Sequence, residues 1–115
     1  MTCYNKIKGG EGESMACQFL EARGFKIVMR NFSCRSGEID IIATKDDAIH
    51  FVEVKTRTGD FIAGRCAVNA VKQRHIKASA AFYLRLYHLG SKHFCSFDVI
   101  EITGDKIEFL ENCFY

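Results

Sequence analysis

Apolar positions recur along this chain with two periods, and each change of period marks an element. From Glu11 to Arg23, Met15, Ala16, Phe19 and Leu20 return at helical spacing and Gly24 closes the run, which predicts a first amphipathic helix. Three runs of strand composition follow: Phe25 to Asn31, Gly37 to Thr44 and Ala48 to Thr56. Asp46-Asp47 reads as the hairpin turn between the last two, although it lacks the Gly of the tightest type. A loop around Thr58 to Gly64 leads into a longer helix, Cys66 to His88, free of glycine and ending near Gly90. The strands Cys95 to Ile102 and Lys106 to Leu110, joined at Gly104-Asp105, complete the pattern. The predicted order is α-β-β-β-α-β-β, an α/β fold with a mixed β-sheet flanked by helices.

Composition narrows this picture. At 115 residues, 48% of them hydrophobic, the chain has the size of one domain, 1–115, with material for a real core. No run without Asp, Glu, Lys or Arg exceeds seven residues, against about 20 for a membrane-spanning helix. The start, MTCYNKIKGGEGES, lacks the apolar stretch of a secretory signal, so a cytoplasmic protein with no membrane partner is expected. Six cysteines without a CxxC pair then read as reduced, mostly buried thiols. GGEGES lacks the lysine and hydroxyl of a phosphate-binding loop and reads as a flexible approach to the first helix.

Charge is segregated. Between Phe61 and Phe97 there is no Asp or Glu, while Arg65, Lys72, Arg74, Lys77, Arg85 and Lys92 contribute +6, leaving −4 for the rest of a chain of net charge +2. Such a segment suits a polyanion partner, with a cation site among the acids elsewhere, or it is a solvated basic face.

The period of two in a strand places the candidate chemistry. In GEIDIIA, Glu38, Asp40 and Ile42 are expected on one face and Ile39, Ile41 and Ala43 on the other. In FVEVKTR, Phe51, Glu53, Lys55 and Arg57 share a face, with Val52 and Val54 opposite. Paired through the turn at 46–47, the two strands each lay an acid on the sheet, with a lysine two residues from one of them. Neighbouring carboxylates are best tolerated with a cation between them, and oxygen ligands favour Mg²⁺ or Mn²⁺ over zinc. The plainer reading is an exposed strand face with cross-strand charge pairs.

These residues carry a resemblance. GES-M-A-CQFL at 12–20, N-F-SCRSGEIDIIA at 31–43, FVEVKTR at 51–57, G-RCAVNAVKQRHI at 64–76, the AFYL of the long helix and FDVIEI at 97–102 closely resemble the bacterial YraN family. That family lies within the restriction-endonuclease-like PD-(D/E)xK superfamily, and its relatives include the archaeal Holliday junction resolvases. The resemblance implies that Asp40 and Glu53 are metal-binding acids, that Lys55 is the basic residue completing the site, and that Glu13 is the acid of the first helix. It further implies the backbone carbonyl of Val54 as a ligand and Mg²⁺ or Mn²⁺ as cofactor. Ile39 stands where the superfamily has its proline. The implied activity is a metal-dependent DNA endonuclease acting on duplex or branched DNA such as Holliday junctions, with a homodimer left open. The alternative is a module of the same fold that binds nucleic acid and cuts nothing.

The helices add to this reading. Glu13 lies near the edge of the apolar face of its helix, where it leans toward the sheet or simply stabilises the helix start. Arg74, Lys77, Arg85 and His88 fall within one arc of about 80° at 100° per residue, a stripe suited to phosphates or to solvent. With Arg57, the first three are the expected nucleic-acid contacts. Lys72 lies almost opposite, among Ile76, Ala80, Tyr83 and Tyr87, where it snorkels or reaches the acids and joins the catalytic set, as the resemblance favours. Asp98 is expected to make a structural hydrogen bond.

Overall fold

A computed structural model describes residues 7–57, 69–89 and 94–114. Its elements are α1 (Ile7–Ala22), β1 (Lys26–Cys34), β2 (Gly37–Lys45), β3 (Ala48–Arg57), α2 (Ala70–Leu86), β4 (Phe94–Thr103) and β5 (Lys106–Phe114), in the order expected. The strands form one sheet, β1-β2-β3-β4-β5. Only β3 and β4 run parallel, because α2 carries the chain across the sheet between them; the other neighbours are antiparallel. No described helix is long and apolar enough to cross a membrane.

Each helix covers one face. Ala16, Cys17 and Leu20 of α1 pack with Phe25, Ile41, Ala43, Val52, Ile100 and Ile102. On the other face Ile76, Ala80 and Tyr83 of α2 pack with Phe32, Ile39, Ile42, Ile49, Phe51 and Val99. The α1 helix ends where Phe25 N–H closes on the Leu20 carbonyl at 3.0 Å, with Gly24 in the left-handed region at φ +94°. At the hairpin turn Asp46 and Asp47 both take positive φ, 51° and 67°, so this turn adopts the primed geometry that matches strand twist despite having no Gly.

Several boundaries differ from expectation. The glycine-rich entry is helical, since α1 begins at Ile7. A Cβ at Gly12 would meet Thr56 Cγ2 at 2.9 Å, so glycine serves close packing of α1 on β3 there. The second helix does not run on from Cys66: Asn69 is extended at φ −76°, ψ 171°, and caps α2 by accepting the Lys72 N–H at 2.8 Å. Residues 58–68, and with them the expected loop and the first residues of that helix, lie outside the described residues. The outer strands β1 and β5 are longer than expected because each passes through a left-handed asparagine, Asn31 at φ 54° and Asn112 at φ 57°, without ending. The expectation of reduced thiols holds for Cys17, Cys34 and Cys95, of which only Cys17 is buried. It fails for Cys113, which is disulfide-bonded.

The expected alternation of β2 also breaks. Ile41 and Ala43 face α1, yet Ile39 joins Ile42 on the α2 side. The slip falls at Asp40, opposite the left-handed Asn31, since Arg30 pairs with Ile41 and Phe32 with Ile39. Beyond that row β2 and β3 part. Their register runs from Lys45↔Ala48 to Ile41↔Val52 and stops there, after which β2 continues beside β1 alone and β3 beside β4 alone. The sheet thus opens into a fork with Asp40 and Glu53 at its apex.

Candidate functional site

A fork leaves strand-edge groups that need new partners. The Val54 N–H finds one in Asp40 Oδ2 at 2.8 Å. The N–H and C=O of one strand residue point to the same side, so the Val54 carbonyl faces the fork as well. Glu53, buried on β3, receives Lys72 Nζ at 3.3 Å from the first turn of α2. The Asn69 cap holds the backbone from which that lysine extends. Glu13, 4% exposed on α1, accepts Asn31 Nδ2 at 2.8 Å and lies 3.7 Å from Arg30 Nη2, both through Oε1.

Two of the three carboxylates therefore have a cationic neighbour. Asp40 has the Val54 amide and, among the described residues, no cation. Burial raises its pKa first and the charge of Glu53 next, with Glu13 and Glu38 adding to both; the Val54 hydrogen bond opposes them, and the carboxyl is pushed up to about 7. A further positive charge placed in the fork would be stabilised here more than anywhere else among these acids.

The lysine reading divides. Of the two readings open for Lys72, snorkelling or reaching the acids, the structure has it at Glu53. Lys55 shares the α2 side with Glu53 and helps to line a recess of about 230 Å³ with Glu53, Val54 and Thr56. Its register neighbour on β4 is the buried Glu101, an acid the sequence reading did not single out. Arg74 and Arg85 are exposed on the side of α2 away from the sheet and Lys77 is half-buried, so the stripe faces outward as drawn. The side chain of Arg57 lies outside the described residues.

Asp98 belongs to a different arrangement. Fully buried on the α1 side, it accepts Ser96 Oγ at 2.5 Å and Asn112 N–H at 2.9 Å and meets His50 Nδ1 at 2.6 Å. It ties β3, β4 and the bulge of β5 together, a structural role as expected. Sequence reasoning missed Arg30 and Asn31, the residues that hold Glu13. The available signal was an asparagine, tolerant of positive φ, placed beside strand residues.

The oxygen donors Asp40, Glu53 and the Val54 carbonyl fit a hard divalent cation by their chemistry and by the unbalanced charge at Asp40. Among the described residues no three His, Cys, Asp or Glu side chains are grouped to hold a metal ion, so Asp40, Glu53 and Glu13 do not form one three-acid cluster.

Residues 12–102 match the family described as "Uncharacterised protein family UPF0102". Among similar proteins, a UPF0102 protein of Clostridium perfringens is 46% identical over 90% of this chain and 84% of its own length. One from Geobacter metallireducens is 44% identical over 99% of this chain and 97% of its own, and one from Caldicellulosiruptor bescii 44% over 95% and 98%. Fork, acids and capped helix all fall inside the matched span, and the chain belongs to the UPF0102 (YraN) family.

Proposed function

We propose that this protein is a divalent-metal-dependent DNA endonuclease. The observation that carries the reading is the fork, which brings Asp40 of β2, Glu53 and Val54 of β3 and Lys72 of α2 to one place and leaves Asp40 short of positive charge. Asp40, Glu53 and the Val54 carbonyl are the groups that hold Mg²⁺ or Mn²⁺. Bound there, the cation supplies a water of lowered pKa and positive charge for the phosphate in the transition state. Lys72 balances the charge of Glu53 and fixes its direction. Lys55, lining the same recess, orients the attacking water against the phosphate. Glu13 acts through a water rather than as a direct ligand, since Asn31 and Arg30 already hold one of its oxygens.

The exposed arginines of α2 and the acid-free segment around them support DNA as the substrate. The resemblance to junction resolvases makes branched DNA the class to test first, and symmetrical cutting of a junction requires two copies of the chain. The test is cleavage of labelled single strand, duplex, flap and four-way junction with Mg²⁺, Mn²⁺ or EDTA, beside Asp40→Ala and Glu53→Ala. Metal-dependent products that vanish in both variants are expected, with DNA binding retained. Binding without cutting under every condition would replace the nuclease with a binding module of the same fold. Cutting that survives both substitutions would overturn the site.

A further inference from the structure

We infer that Asn31 is the positioning residue for Glu13, and that its left-handed backbone is what lets it serve. The inference rests on the reading of the fork as a cation site. Successive residues of a regular strand point to opposite faces, yet Arg30 and Asn31 both reach Glu13 Oε1, at 3.7 and 2.8 Å. The positive φ of Asn31, 54°, breaks the alternation and turns the two side chains to one acceptor. The same row holds Asp40 across the β1–β2 pair, between the pairs Arg30↔Ile41 and Phe32↔Ile39. One backbone irregularity therefore serves the slip of β2, the start of the fork and the anchoring of Glu13.

The choice of residue follows from chemistry. Positive φ is tolerated by Gly, Asn and Asp. Glycine offers no side chain, and aspartate would set a further carboxylate against Glu13. Asparagine adds a donor, and its neutral amide fixes direction without cancelling the charge that attracts a cation. Both contacts go to Oε1, so neither engages Oε2.

Mn²⁺ binding by calorimetry tests this with wild type, Asn31→Gly, Glu13→Ala, the double variant and Asp40→Asn. Glycine keeps the backbone and removes only the amide. Asn31→Gly is expected to keep its melting temperature within a few degrees and to weaken Mn²⁺ about tenfold, as loss of a ligand-orienting group does. In the Glu13→Ala background the same substitution should have no further effect, because Asn31 acts through Glu13. A weakening that persists in that background would mean a merely structural role and overturn the inference. Unchanged Mn²⁺ affinity in Asn31→Gly, with binding lost in Asp40→Asn, would overturn it alone. Absence of Mn²⁺ binding in wild type, or full binding in Asp40→Asn, would overturn the cation site and this inference with it.

Discussion

Asp40 carries the electrostatic strain of the fork, and that strain is measurable as stability. Its carboxyl, pushed up to about 7 from 3.8, binds a proton more tightly folded than unfolded. Below about pH 3 both states are protonated and nothing is lost; as pH rises from there toward 7 the unfolded state ionises while the folded state keeps its proton, so stability falls through that window and levels off above it. Asp40→Asn should therefore match wild type near pH 3 and exceed it by about 4 kcal/mol at pH 8, in denaturant melts run with EDTA. Millimolar Mn²⁺ should reverse the order by stabilising wild type alone. Equal stability of the two at both pH values would remove the strain assigned here. At this scale the sequence was informative where a residue's place follows from identity and period: Asp40 and Glu53 were read from strand spacing as acids on neighbouring strands, and of the two readings open for Lys72 the structure has the one that reaches an acid. Arg30 and Asn31 were not legible, because their convergence on Glu13 depends on a single positive φ that no periodicity encodes.

The elements were legible in order and type because each run of two or 3.6 residues buries one face, and burial of that face is what holds α1 and α2 to the sheet. Their ends were less so. Asn69 before an apolar run is a helix start by its side-chain acceptor, a local signal that the longer glycine-free run from Cys66 concealed. The glycines of α1 were read for flexibility, whereas Gly12 is a packing residue, and a pair of substitutions distinguishes the two. Gly12→Ala gains about 1 kcal/mol of helix propensity but drives a methyl to 2.9 Å from Thr56 Cγ2. The net result should be a loss of about 1–2 kcal/mol, since overpacking moves α1 off β3. Thr56→Ser removes the offending methyl, and the double variant should melt above Gly12→Ala. A Gly12→Ala protein more stable than wild type would restore the flexible reading.

Across the whole molecule, charge is sorted by face of a single helix. Lys72 turns inward to the acids, while Arg74, Lys77 and Arg85 turn outward from a helix that contains no acid. At 1.5 Å per residue Arg85 lies about 20 Å along α2 from Lys72, more than two screening lengths of roughly 8 Å at physiological salt. Arg74 is about 3 Å along the axis from it. On the proposed function, with a phosphate in the fork, Arg74 is the nearer of the two along the axis although it lies on the opposite face of α2 from Lys72, whereas the Arg85 guanidinium, 5.9 Å above the Phe82 ring, lies far from it and contributes at most to the approach. The three basic residues, drawn from the sequence as one stripe, should thus separate in a salt titration of DNA binding. Arg74→Gln should reduce the slope of log affinity against log salt by about 1, the value for one lost phosphate contact, and Arg85→Gln by much less. Equal losses would mean that DNA lies along the helix rather than across its start, and an unchanged slope in both would mean that the outward face of α2 meets only solvent.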